Sequence, residues 1–312
     1  MHVPMRRGTE LAGLALAGYC VLNGSFVPAV AKLATHAASG LTSALFTSAF
    51  AGIVALAFLV VRGQLGLLFE RRQLPTLVAI GALGTAAAFF LYYSGAKRVT
   101  AIEAALCVQT EPVYSLLGTR FLLGHALPRR RIAAVCGIAA GIALAIGARP
   151  TSGWLGLSLL LLTPLAWQAS HWVALRNLAE FNPTLLSGAR YVYGALVLFL
   201  VWLAVEGSAG LPGRGELGGF LAIVAIQGAV LAFGGTLAWY GAVKRLDLTR
   251  TTAIVVPSGP IVSLVVSYLL LGEAVTLRQA CGFALTAAGV LAFALSPSVG
   301  QPAATEPSFG LE

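Results

Sequence analysis

Glu111-Pro112-Val113-Tyr114-Ser115-Leu116, with Leu122-Leu123-Gly124 shortly after, returns as Gly259-Pro260-Ile261-Val262-Ser263-Leu264 with Leu270-Leu271-Gly272. The two prolines stand 148 residues apart (260 − 112), and the same offset carries Arg130 onto Arg278 and Gly141 onto Gly289. Upstream, Lys97-Arg98 matches Lys244-Arg245 at an offset of 147 (244 − 97), a slip of one residue. The chain is therefore read as two related halves. Each copy of the motif lies in a long apolar stretch, so each half is a set of membrane-spanning segments.

Composition agrees. Among 312 residues 58% are hydrophobic and only 10% charged, and the mean hydropathy is +0.87. A soluble domain carries roughly a quarter charged residues, so this chain lacks the polar groups to face water on all sides. A soluble enzyme, a disordered protein and a nucleic-acid-binding domain are excluded. The net charge of +9 has a simpler source in basic residues on cytoplasmic loops. Asp occurs once, at Asp247, and Lys only at Lys32, Lys97 and Lys244, so there is no Gly-Lys-Ser/Thr phosphate loop and no paired-Asp site for Mg²⁺. His2, His36, His125 and His171 lack the i, i+4 spacing that holds a metal on a helix. Cys20, Cys107, Cys136 and Cys281 fall far apart in apolar stretches and read as packing residues. No catalytic residue, metal or cofactor is expected, and the chain reads as a non-enzyme.

A helix crosses the hydrocarbon core with roughly 20 apolar residues. Ten such stretches follow one another: 10–34, 39–61, 74–95, 101–123, 131–148, 153–175, 183–205, 219–243, 250–271 and 277–296. The first follows Arg6-Arg7 but is long and succeeded by nine more, so it reads as an uncleaved span. The expected architecture is an all-α membrane protein of ten transmembrane helices in two five-helix repeats, 10–149 and 150–296. Residues 297–312 read as a short disordered cytoplasmic tail. Five is odd, so the second repeat must lie inverted relative to the first, as in secondary transporters. The loops place 12 basic residues on the side of the N-terminus and 6 on the other, which assigns both termini to the cytoplasm. Joining the halves covalently removes the need for a partner subunit, so a functional monomer is expected.

A ten-span chain of two five-span repeats resembles the drug/metabolite transporter superfamily, specifically its EamA-type members. Glu111-Pro112 with Leu122-Leu123-Gly124 is similar to the family's "slEP…llLGE" stretch, and Pro260, Leu270-Leu271-Gly272-Glu273, Gly282 and Gly289 are similar to its second copy. Asn23-Gly24-Ser25-Phe26 running to Lys32 resembles the family's "WGsnf…k" segment. The likeness covers about residues 10–296 and departs at His125, where the family often has Glu. Aromatic-amino-acid exporters share this layout. The resemblance implies export of amino acids or similar small metabolites from a central cavity, across a bacterial cytoplasmic (inner) membrane.

Candidate site residues follow from groups that lipid does not tolerate alone. Pro112 and Pro260 cannot donate to the carbonyls of Val108 and Val256, nor Pro257 to that of Ala253, and Pro28 and Pro164 interrupt spans 1 and 6. Such breaks are tolerated against protein or a wet cavity, so these five prolines are hinges or static kinks. Glu111 sits near the middle of span 4, where an ionised carboxylate costs about 2.5–3.5 kcal/mol. It must be protonated, paired or wetted, which makes it a proton-coupling and substrate-binding candidate, or a structural acid bonded to another helix. Arg190, in the cytoplasmic third of span 7, either snorkels to headgroups or holds a substrate carboxylate. Lys97-Arg98 and Lys244-Arg245 read as solvated helix ends. Asn23, Gln168 and His171 are polar groups of spans 1 and 6, and Tyr92, Tyr114, Trp167 and Trp239 either line a cavity or belong to the interface belt. Those nine residues, from Asn23 to Trp239, form the expected substrate-binding set.

Small multidrug-resistance relatives use a first-span Glu to bind cationic drugs and protons. Here no acid lies in span 1 past Glu10, and none in span 6. That favours a neutral, zwitterionic or weakly anionic ligand over an organic cation. Phosphorylated metabolites or nucleotide sugars are the alternative substrates, and would require basic residues inside the cavity. A non-transporting membrane scaffold is the alternative of another class. Gly137-x-x-x-Gly141 and Gly13-x-x-x-Ala17 read as close-packing surfaces.

Overall fold

The computed structural model describes residues 7–121, 127–147, 153–177, 182–246 and 248–296. Arg6, Leu122 through His125, Arg149-Pro150, Asp247 and the tail 297–312 lie outside the described residues. Among those described, all regular structure is helical, since a helix satisfies its own backbone donors and acceptors where water does not.

The first half runs α1 (Arg7–Ala37), α2 (Gly40–Val61), α3 (Leu74–Gly81), α4 (Ala88–Ala96), α5 (Ala101–Cys107), α6 (Glu111–Phe121) and α7 (Arg129–Ile146). The second runs α8 (Trp154–Asn177), α9 (Pro183–Val205), α10 (Arg214–Ala225), α11 (Gly235–Leu246), α12 (Leu248–Leu271) and α13 (Leu277–Ala294). Polar caps set several starts. Ser39 accepts from Thr42 N at the head of α2, Asn182 accepts from Thr184 N and Leu185 N, and Thr100 and Thr276 open capping boxes with Glu103 and Gln279.

Six helical stretches among the described residues are long and apolar enough to cross a membrane: Glu10–Ala37, Gly40–Val61, Leu74–Ala96, Thr184–Val205, Arg214–Leu246 and Leu277–Ala294. Three of the other expected spans, 101–123, 131–148 and 153–175, carry polar groups: Glu111 and a break in the first, Arg129-Arg130-Arg131 at the head of the second, and Gln168, Ser170 and His171 in the third. In the last, 250–271, the described apolar stretch is Ser258–Leu271.

Three of the expected spans are not uniform α-helices. A π-helical segment, Ala82–Ala87, joins α3 to α4, and a second, Ile226–Gly234, joins α10 to α11. The 147-residue offset that aligns Lys97-Arg98 with Lys244-Arg245 carries 82–87 onto 229–234, inside the second segment. Between α5 and α6 the chain tightens into one 3₁₀ turn, Val108–Thr110. The carbonyl of Val108, expected to be freed by Pro112, accepts the N–H of Glu111 across that turn. The proline break is thus repaired by a shorter-range bond.

Packing pairs the two halves. α2 lies along α9, and α7 along α13; α1 packs on α11 and α12, while α8 packs on α4 and on the α5–α6 break. Glycines permit the closest of these approaches. A Cβ on Gly141 would lie 2.7 Å from Gly282 O and Thr286 N, and one on Gly289 2.8 Å from Ile138 N. Gly13 meets Leu246 in the same way, so both small-residue motifs sit at helix contacts.

At one end of the bundle the turn between α4 and α5 is held from two sides. Lys32 Nζ of α1 donates to the carbonyls of Ala96, Lys97 and Val99 at 3.1, 3.2 and 2.6 Å. Glu273, after α12, accepts from Ala101 N and Ile102 N at 2.8 and 3.0 Å, capping α5 from the other half of the chain. Lys97 Nζ and Arg98 Nη1 bond the carbonyls of Ala38 and Ser94, as basic residues at helix ends do.

Candidate functional site

A cavity of about 620 Å³ opens where α1, α8, α11, α12 and α13 face the α5–α6 break. Glu111, Pro112 and Ser115 line it from the first half, and Gly259, Pro260 and Ser263 from the second. These are the repeated positions themselves, each pair 148 residues apart. Trp167, Gln168 and His171 of α8, Trp239 of α11 and Cys20, Gly24 and Pro28 of α1 complete most of the wall. A second lobe of about 340 Å³ is lined by Asn23, Arg190 and Thr236. The two lobes share Cys20, Gly24, His171, Trp239 and Val255, so they meet along one wall.

Glu111 owes its position to the break. As the first residue of α6, after the 3₁₀ turn and before Pro112, it turns toward α8, where Gln168 Nε2 donates to Oε1 at 2.9 Å. Arg190 comes from α9 and is anchored by the π turn of the neighbouring span: its Nη2 donates to Gly84 O at 2.9 Å. A Cβ on Gly84 would meet Ser170 and Arg190, so glycine makes room for both. Arg190 lies near enough to act electrostatically on Glu111 and His171, yet Arg190 donates elsewhere and Glu111 accepts elsewhere. Arg190 Nε and Trp167 Nε1 are buried without a hydrogen-bond partner among the described residues.

The second π turn is tended from α1 and α9. Asn23 Nδ2 donates to Val230 O at 3.0 Å, Tyr19 OH to the same carbonyl at 3.3 Å, and Tyr191 OH to Ala232 O at 3.0 Å. On the opposite side Ser170 Oγ donates to Ile80 O at 3.1 Å, one residue before α3 ends and the first π turn begins. Widened turns expose carbonyls, and polar side chains of spans 1, 6 and 7 satisfy them.

The geometry thus gathers Glu111, Trp167, Gln168, His171 and Trp239 in the larger lobe, and Asn23 and Arg190 in the smaller. Tyr92 and Tyr114 are elsewhere. Tyr92 is buried in the core with its ring edge-on to Tyr93, and Tyr114 OH donates to Leu161 O at 2.8 Å. Of the prolines, Pro28, Pro112 and Pro260 line the larger lobe. Pro164 is buried within α8 away from it, and Pro257 lies within α12, its side chain outside the described set.

Lining residues not singled out from sequence include Cys20, Gln109, Ser115, Ser263 and Phe293. Ser115 and Ser263 had a signal, since they are paired by the repeat. Cys20, taken for packing, is 7% exposed and sits at the wall common to both lobes. Among the described residues no group of His, Cys, Asp and Glu is arranged to hold a metal ion.

The sequence pattern of the EamA-like transporter family matches residues 11–147 and again 154–295. A protein of Streptantibioticus cattleyicolor named as a probable terminal-alkyne amino-acid exporter is 32% identical over 249 residues, covering 77% of this chain and 80% of that protein. An uncharacterized transporter of Archaeoglobus fulgidus is 22% identical over 227 residues, covering 72% and 79%. One crystal structure superposes with a TM-score of 0.63 at 23% identity, covering 92% of this chain and 98% of its own, a likeness of fold.

Proposed function

Because the chain belongs to the EamA-like transporter family, and is a multi-pass membrane protein, we propose that it is a secondary transporter exporting small organic metabolites, amino acids foremost. The observation that carries this reading is the cavity lined by the same motif positions from both halves. Ten transmembrane helices form two inverted repeats, 10–149 and 150–296, which rock about that cavity to give alternating access. Support comes from the matched π turns and from the paired packing, in which α1 on α11 and α12 corresponds to α8 on α4 and α5–α6.

In this reading Asn23, Glu111, Trp167, Gln168, His171, Arg190 and Trp239 contact substrate, and Glu111 is the proton-coupling group. Tyr92 and Tyr114 support the wall from behind. Pro28, Pro112, Pro164, Pro257 and Pro260 are the points where spans 1, 4, 6 and 9 bend. The protein acts as a monomer in a bacterial cytoplasmic membrane with both termini inside, and it performs no covalent chemistry. The amino-acid choice is supported by the Streptantibioticus relative and by a lining in which apolar and aromatic groups outnumber charged ones.

Counterflow tests it. Proteoliposomes preloaded with unlabelled Phe, Trp, Leu or Thr should take up the same labelled amino acid saturably. Folded, inserted protein that exchanges none of them would remove the amino-acid reading.

A further inference from the structure

The two lobes carry opposite charge. Among the residues lining the larger lobe the acid is Glu111, and among those lining the smaller the permanent cation is Arg190, with His171 and Trp239 at the shared wall. A carboxylate and a guanidinium attract each other strongly in a low-dielectric enclosure, and here their hydrogen bonds lead away from each other. Gln168 holds Glu111 on one side and the Gly84 carbonyl holds Arg190 on the other. Each charge is oriented by a neutral partner, which keeps the two poles apart in two adjoining lobes with a common wall.

Resting on the transporter reading above, we infer that this site recognises a free zwitterion by its two ends. The ligand's ammonium sits beside Glu111 in the larger lobe and its carboxylate against Arg190 in the smaller one. Its side chain lies on the indoles of Trp167 and Trp239 in the larger lobe. A carboxylate is the natural acceptor for guanidinium N–H groups, and an ammonium is the natural donor to a carboxylate whose other oxygen is already held. The lobe that houses the side chain offers no second fixed charge among its described lining residues beyond Glu111, so neutral side chains fit and acidic or basic ones do not. A compound lacking either end leaves one buried pole uncompensated. Substrate selection therefore acts against the amine and against the acid alike, and against amino acids blocked at either end.

The test uses the intact protein in detergent and reads binding by the fluorescence of its own tryptophans, together with exchange in proteoliposomes. The probes are L-phenylalanine, phenethylamine, 3-phenylpropionate and N-acetyl-L-phenylalanine, with the leucine series alongside. In the wild type the amine, the acid and the N-acetyl compound should each bind at least about 10-fold more weakly than the amino acid, the scale of one lost charged hydrogen bond. In Glu111→Gln the amino acid and the acid should bind within about two-fold of each other, and in Arg190→Gln the amino acid and the amine should do so. Equal binding of the amine or the acid to wild type overturns the inference, as does discrimination that survives both substitutions. The wild-type series decides the matter even where a variant does not fold. Zwitterion-selective binding without vesicle exchange would sink the transporter reading and leave the site standing. Exchange of amines or acids on equal terms would do the reverse.

Discussion

Gln168 gives the Glu111 carboxylate its hydrogen bond at 2.9 Å, so the acid of one half is oriented by the other. Replacing it by an isosteric apolar group, Gln168→Leu, strands a half-buried carboxylate and should cost about 1–3 kcal/mol. A lowered thermal midpoint in detergent would record that, and an unchanged midpoint would show that water already serves the acid. The proton-coupling role of Glu111 is a separate matter. Glu111→Gln is expected to flatten the dependence of exchange on pH, and an unaltered rate and profile would remove the acid from proton movement. The sequence exposed Glu111 because a carboxylate in mid-span needs a reason, and it exposed Gln168 and His171 for the same cause. It did not separate Trp167 and Trp239, at the cavity, from Tyr92 and Tyr114, which are held elsewhere. Where a helix is apolar all round, its pattern does not fix which face turns inward.

Among the elements, the interrupted spans decide where the polar groups go. Hydropathy reads 74–95 and 219–243 as plain spans, whereas both contain π turns whose carbonyls take Arg190, Asn23 and Tyr191. Nothing in the apolar run from Ala82 to Ala87 announces a widened turn, because the side chains that stabilise it come from distant helices. The α5–α6 break was legible through Pro112, although its repair by the Glu111 N–H was not. Two substitutions probe these contacts. Gly141→Val forces a side chain against the Gly282 carbonyl and the Thr286 amide, and overpacking of this kind costs about 1–3 kcal/mol. Glu273→Ala strips two acceptors from the start of α5, a loss of about 0.5–2 kcal/mol by comparison with other helix caps. Amide exchange at Ala101 and Ile102 should quicken in that variant while the α7–α13 contact stays protected. Uniform protection would show that Glu273 is dispensable there.

For the whole molecule, the repeat read at Glu111-Pro112 and Gly259-Pro260 reappears as a shared cavity wall. That correspondence was legible because both copies kept Pro and Ser at matched positions. The second, smaller lobe was not, since it depends on how α9 meets a π turn. A monomer is expected by light scattering in detergent, and protease added outside sealed cells should leave both tagged termini intact. Cys20 offers the most direct reading of whether the cavity is the transport path, because it lies at the wall common to both lobes. In a Cys107→Ser, Cys136→Ser, Cys281→Ser background, N-ethylmaleimide is expected to stop amino-acid counterflow in proteoliposomes, with excess substrate slowing the loss. Counterflow that continues at full rate after Cys20 is completely alkylated would mean that the solute travels by another route.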